Sequence, residues 1–161
     1  MKAVLISIQP QWVERIAAGF KKLELRKTVP NIPRPFKCYI YQTRLKWVFN
    51  LLRRLGWDSI ADTLALGFGK VVGEFECDGI LYNCEMANID LAEELSCVPR
   101  KEIREYSSGK QVFGWHISKL VIYDTPKDLR EFIKPYGTIV KAFDSPYIQR
   151  PPQSWCYVQE G

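Results

Sequence analysis

The sequence predicts an α+β domain: a small mixed β-barrel with helices packed on its outside. Two observations lead there. Short β-branched and aromatic runs alternate with helix-period segments along the whole chain, and several of those runs are separated by connections too long for hairpins, so the sheet must mix hairpins with crossovers. The chain also has 161 residues, 47% of them hydrophobic, with no repeat, low-complexity tract or linker. That amount of apolar residue supports one core, so residues 1–161 are read as a single domain.

The elements follow in order. Ala3–Ile8 (AVLISI) is short, apolar and β-branched, and reads as a strand. Pro10 opens a helix, where its missing N–H costs nothing. Trp12, Val13, Ile16 and Ala17 recur at helical spacing, and Gly19 follows as a C-terminal stop. Lys21–Lys27 alternates, with Leu23 and Leu25 on one face and Lys22, Glu24 and Arg26 on the other. The run TVPNIPRP is an extended loop, and Phe36–Gln42 is the next strand. RLKWVFNLLRRL (44–55) carries a stripe of Leu45, Val48, Leu51, Leu52 and Leu55 and predicts a basic amphipathic helix within an insertion at about 44–66. A strand over 70–77 follows, then two short helices around Pro99 within 88–106, and a strand over 112–123. Thr125-Pro126-x-Asp128 resembles a capping box and predicts a helix to about Ile133, and Trp155–Gln159 closes the chain as a strand.

Charge and cysteine content narrow the partners. Lys plus Arg is 23 against 18 for Asp plus Glu, a net +5 that mildly favours an anionic partner such as nucleic acid. No apolar run is long enough to cross a bilayer and no signal-peptide pattern opens the chain, so a cytoplasmic protein without membrane association is expected. Five cysteines, Cys38, Cys77, Cys84, Cys97 and Cys156, are an odd number at irregular spacing and read as free, mostly buried thiols. With one histidine, His116, and no close Cys pair, no metal and no cofactor is expected.

The segment AGFKKLELRK (18–27) concentrates the chemistry. On a strand Glu24 and Arg26 share a face, and Lys21 leaves the Gly19 turn beside them. As a cleft, Arg26 would hold a phosphate or base edge with its planar fork. Lys21 would be a second cation or, if desolvated, a base or nucleophile. Glu24 would orient the lysine or accept from an exocyclic amine. On spacing alone a solvated strand face with a loose Glu–Arg pair, worth at most about 1 kcal/mol, is favoured over this cleft.

The pattern Gly19-x-Lys21-x-x-Glu24-x-Arg26, after a strand and an amphipathic helix, resembles the GxKxxExR signature of the ASCH domain family, within the PUA-like superfamily of small β-barrels. MKAVLISIQPQWVERIAAG, GKVVGEFECDG, GWHIS and the closing RPPQSWCYV fall in the order of the short ASCH proteins of bacteria and their phages, so the resemblance spans most of the chain except the basic helix. It implies a PUA-like barrel with a cleft lined by Lys21, Glu24 and Arg26, and RNA or a modified nucleotide as ligand. Some relatives are similar to ribonucleases or to amidohydrolases of acylated cytidines. The latter have a threonine where this chain has Glu24, and a carboxylate cannot replace a hydroxyl nucleophile.

Other candidates surround this set. Glu74 would enter the cleft as a general base or amine acceptor, or be an ordinary exposed carboxylate. Trp115 would stack on a base, or be core; His116 points to the opposite face. Arg150 and Ser154, before the last strand, would add donors. Arg44, Lys46, Arg53 and Arg54 would lie along a phosphate backbone or decorate a solvated helix face. Three readings follow: a nucleotide- or RNA-binding module using a basic cleft, a hydrolase using Lys21, Glu24 and Glu74, or a protein-interaction module using the 44–55 helix.

Overall fold

The computed structural model of the chain describes residues 1–44, 46–59, 68–137 and 144–160, with the backbone alone at 46–49. Its elements are β1 (Lys2–Ile8), α1 (Pro10–Ala17), β2 (Leu23–Arg26), β3 (Phe36–Gln42), α2 (Lys46–Arg54), β4 (Lys70–Leu81), α3 (Ile89–Ser96), α4 (Arg100–Ser107), β5 (Phe113–Lys127) and β6 (Trp155–Gln159), with a 3-10 turn at Leu129–Glu131. The strands form one sheet in the order β2-β5-β4-β3-β1-β6. β1 and β3 run parallel and the other pairs antiparallel, so the sheet is mixed as predicted. It curls into a half-barrel.

Burial explains the sequence pattern strand by strand. β1 is a continuous apolar run because both its faces are covered. Val4, Ile6 and Ile8 join the core under α1, with Cys38, Ile40, Phe75 and Trp115. Ala3 and Leu5 join a second cluster on the other face, with Leu129, Phe132 and Ile148. A third cluster joins Leu25 of β2 to Ala92 of α3 and Ile103 of α4. That packing covers the short edge strand β2, all four of whose residues are buried.

Curling brings the two edges of the sheet together. Ser7 N donates to Ser154 O at 3.0 Å, which continues the β1–β6 ladder, and Arg26 of the other edge reaches both Ser7 O and Ser154 Oγ. The loop after β2 ties to the closing strand: the indole N–H of Trp155 donates to Thr28 Oγ1 at 2.9 Å, and Asn31 N donates to Tyr157 Oη at 2.8 Å.

Three elements differ from expectation. β4 and β5 run longer than predicted, because they pair with each other across three register shifts. At one of them Gly73 has no room for a side chain, since a Cβ there would lie 2.5 Å from Val121 O. The helix expected from Thr125 does not form. β5 continues through Thr125 and Pro126 to Lys127, and the capping box belongs to Asp128 and Glu131, which close a single 3-10 turn. α2 matches the predicted basic helix, whereas position 45 and the 60–66 part of the insertion lie outside the described residues. No helix among the described residues is long and apolar enough to cross a membrane.

Candidate functional site

Lys21, Glu24 and Arg26 lie together, and they are buried. Lys21 is 2%, Glu24 6% and Arg26 9% exposed. The solvated strand face favoured by spacing alone is therefore not what forms. Glu24 sits between the cations, with Oε1 2.9 Å from Arg26 Nη2 and Oε2 3.4 Å from Lys21 Nζ.

Each cation is also held from outside β2. Lys21 Nζ donates to Ser96 O at 2.9 Å, the last carbonyl of α3, where a helix carries partial negative charge. Burial pushes the Lys21 ammonium below the usual lysine range and Glu24 opposes that push. Arg26 reaches across the seam of the barrel, donating from Nη2 to Ser7 O at 2.6 Å and from Nη1 to Ser154 Oγ at 3.3 Å. Two buried polar atoms have no hydrogen-bond partner among the described residues: Glu24 Oε2, whose contact with Lys21 lacks hydrogen-bond geometry, and Arg26 Nε.

This set forms the floor of a cleft of about 450 Å³, within the range of small-molecule sites. Trp12 of α1 and Tyr106 of α4 supply aromatic surface, and Ser7, Thr43 and Gln153 line one side. The Trp12 ring carries Lys21 Nζ at 5.1 Å, and the Tyr106 ring carries Lys27 Nζ at 4.8 Å. Tyr106 is 40% exposed and is the more open of the two.

No protein-family model matches the sequence, and no curated protein matches it. Solved structures do. The crystal structure of an ASCH protein from Zymomonas mobilis superposes with a TM-score of 0.66 at 16% identity, covering 98% of this chain and 88% of that one. Two point mutants of the same protein give TM-scores of 0.66 and 0.67, also at 16% identity, with 99% and 98% of this chain covered and 92% and 89% of theirs. This chain has the ASCH fold. The likeness supports the resemblance carried by Gly19, Lys21, Glu24 and Arg26.

On this ASCH fold several predicted site residues fall elsewhere. Trp115 is fully buried, its indole packed edge-on against Phe36 and Trp155, so no ring face is open for stacking. The period-2 pattern could not separate a core tryptophan from a cleft tryptophan. Glu74 is outside the cleft: it pairs with Lys37 at 3.3 Å, accepts from the Tyr123 hydroxyl, and lines a separate depression with Tyr39 and Phe132. Arg150 is exposed and does not line the cleft, whereas Gln153 does and Ser154 is bonded to Arg26. Arg53 pairs with Asp58 at 3.3 Å and Arg54 is exposed, both on α2, and the side chain of Lys46 lies outside the described residues. Arg44 lines a neighbouring groove.

The expected basic cleft is also revised, since Lys21 and Arg26 are matched by Glu24 and Glu102 and the charged lining sums to zero. Sequence reasoning missed Tyr106 and Glu102. They stand four apart on α4, beside the buried Ile103, and helical spacing within RKEIREY held that signal. What the spacing could not supply was the docking of α4 beside β2.

Proposed function

We propose that the chain is an ASCH family member whose cleft binds a nucleobase, either of a free or modified nucleotide or of single-stranded RNA. The observation that carries this reading is the buried Lys21–Glu24–Arg26 set, two of whose polar atoms lack a hydrogen-bond partner, beside a cleft of nucleoside size. Burying three charges is a poor route to stability, since well-packed apolar residues commonly do as well or better. The atoms without a hydrogen-bond partner are one acceptor, Glu24 Oε2, which Lys21 Nζ only approaches at 3.4 Å, and one donor, Arg26 Nε. A phosphate only accepts, so it would leave Glu24 unmet and be repelled by it. A base edge carries a donor next to an acceptor, which matches the two groups in kind. Lys21 and Arg26 already spend donors on Glu24, Ser96, Ser7 and Ser154, which fits holding the carboxylate in place better than gripping a phosphate. Tyr106, the more open ring, would stack on the base.

A second reading, a hydrolase, is favoured by one observation: burial pushes the Lys21 ammonium below its ordinary range next to a carboxylate, as a proton-transferring lysine requires. With Glu74 outside the cleft, Glu102 is the further carboxylate that lines it. End-labelled single-stranded RNA incubated with the protein, with Lys21→Ala and with Tyr106→Ala, and run on native and denaturing gels, separates these readings. The expected result is a shift without cleavage, weakened in both variants. Shortened RNA that depends on Lys21 would establish the hydrolase. Absence of both RNA binding and quenching of tryptophan fluorescence by nucleosides would overturn the base-binding reading.

A further inference from the structure

The cleft does not end at its rim. Ser7, Thr43 and Gln153 line it and also line a second groove of about 670 Å³. The base cleft has no net formal charge on its lining, but the second groove is lined by Arg44, Arg130 and Asp128. Asp128 is already committed. One of its oxygens is 2.8 Å from Lys70 Nζ, and the other accepts from Arg130 N at 3.0 Å in the cap of the 3-10 turn. Neither arginine side chain makes a hydrogen bond or ion pair among the described residues, and both are exposed. Arg44 lies directly on Gly69, where a Cβ would come within 2.3 Å of its Nε, so bare backbone makes room for that guanidinium.

The charge is thus divided. The buried cations of the floor have spent their terminal donors within the protein, with Arg26 Nε alone left over, and the exposed guanidinium groups line the adjoining groove. A free nucleoside needs only the first. A strand whose base enters the cleft must lead its backbone out past the rim, and a phosphodiester is the group that two uncommitted guanidinium forks are built to hold.

We propose that the Arg44–Arg130 groove is a phosphate track continuing from the base cleft, and that the ligand is therefore a single-stranded oligonucleotide rather than a free nucleoside. This rests on the base-binding reading of the cleft. Exposed arginines holding phosphate contribute affinity that falls with salt. For two phosphates on a single strand, affinity drops about sevenfold between about 50 mM and about 200 mM salt.

The test measures binding of the four nucleosides and the four homopolymeric pentaribonucleotides, with the pentadeoxyribonucleotides alongside, to the wild type, to Arg44→Gln/Arg130→Gln and to Tyr106→Ala. The expected result is a pentamer bound at least about tenfold more tightly than its nucleoside at low salt. The double arginine variant should lose that advantage and its salt dependence while keeping nucleoside affinity. Tyr106→Ala should weaken both ligands. Nucleoside binding with no gain from the pentamer, or a gain that survives loss of both arginines, overturns the phosphate track and leaves the base cleft intact. Failure of every nucleoside and pentamer to bind the wild type overturns both. Equal binding of the deoxy series assigns the track to single strands in general; weaker binding assigns it to RNA.

Discussion

Lys21 is a buried cation whose position has a measurable consequence. Burial disfavours its charged form, so its folded pKa lies below the unfolded value near 10.5, despite the pull of Glu24. Between those two values the unfolded chain holds a proton that the folded chain has released. Stability contributed at this residue therefore rises with pH through that window, and below it the full cost of burying the charge applies. Lys21→Met removes the titration. The stability of wild type minus that of Lys21→Met should increase as pH rises towards about 10.5, at no more than about 1.4 kcal/mol per pH unit, the slope of one proton. Urea denaturation of both proteins across that range reads it. Taking the difference removes the buried thiols, whose raised pKa values act in the opposite direction in both proteins: Cys77 is pushed up to about 12 by burial, so its contribution is present below about 9 and lost as pH rises. A difference that stays flat with pH would mean that Glu24 and the α3 carbonyl fully offset the desolvation of Lys21.

Among the elements, those with their own local signal were legible. β3 and β6 begin and end where their alternating aromatic and β-branched residues predict, and α1 begins at Pro10. The 125–133 helix was misread because Thr125 offered a plausible cap, while the pairing of β5 with β4 that overrode it is a contact between segments about fifty residues apart in sequence. β2 shows the same limit. Its Leu/charge alternation is real, but both sets are covered, one by α3 and α4 and the other by the closing seam, and neither cover is written in LELR. α2 is the converse case, an amphipathic helix whose apolar stripe predicts packing. Leu51 is 48% and Leu55 54% exposed, and α2 packs broadly on no other described element. Leu51→Glu with Leu55→Glu should change stability by less than about 0.5 kcal/mol each, as for ordinary surface substitutions. A loss of about 2 kcal/mol or more in denaturant unfolding would show that the stripe is packed in solution.

At the scale of the whole molecule, the motif that marks the site also closes the barrel. β2 and β6 are the two edges of the sheet. Arg26, on the first edge, binds Ser7 of β1 and Ser154 at the start of the second, so a side chain spans the seam that backbone pairing leaves open. This is why Lys21, Glu24 and Arg26 could be picked out in the sequence while their burial could not: the motif is local, but its cover is made by the two ends of the sheet meeting. Arg26→Met would leave Glu24 with only Lys21 and remove both contacts across the seam. Breaking a buried ion pair from one side commonly costs about 3–5 kcal/mol, and a loss of that order is expected here. Arg26→Lys keeps the charge but has a single ammonium in place of the fork, and should fall between Met and wild type. Amide hydrogen exchange locates the effect. Protection should fall at Leu23–Arg26, at Ser7 and at Trp155–Gln159, while β3 and β4 at the centre of the sheet keep theirs. If protection at both edges survives in Arg26→Met, the seam is held instead by the loop contacts of Thr28 and Asn31 with β6. The arginine would then be left with the ligand cleft as its main task.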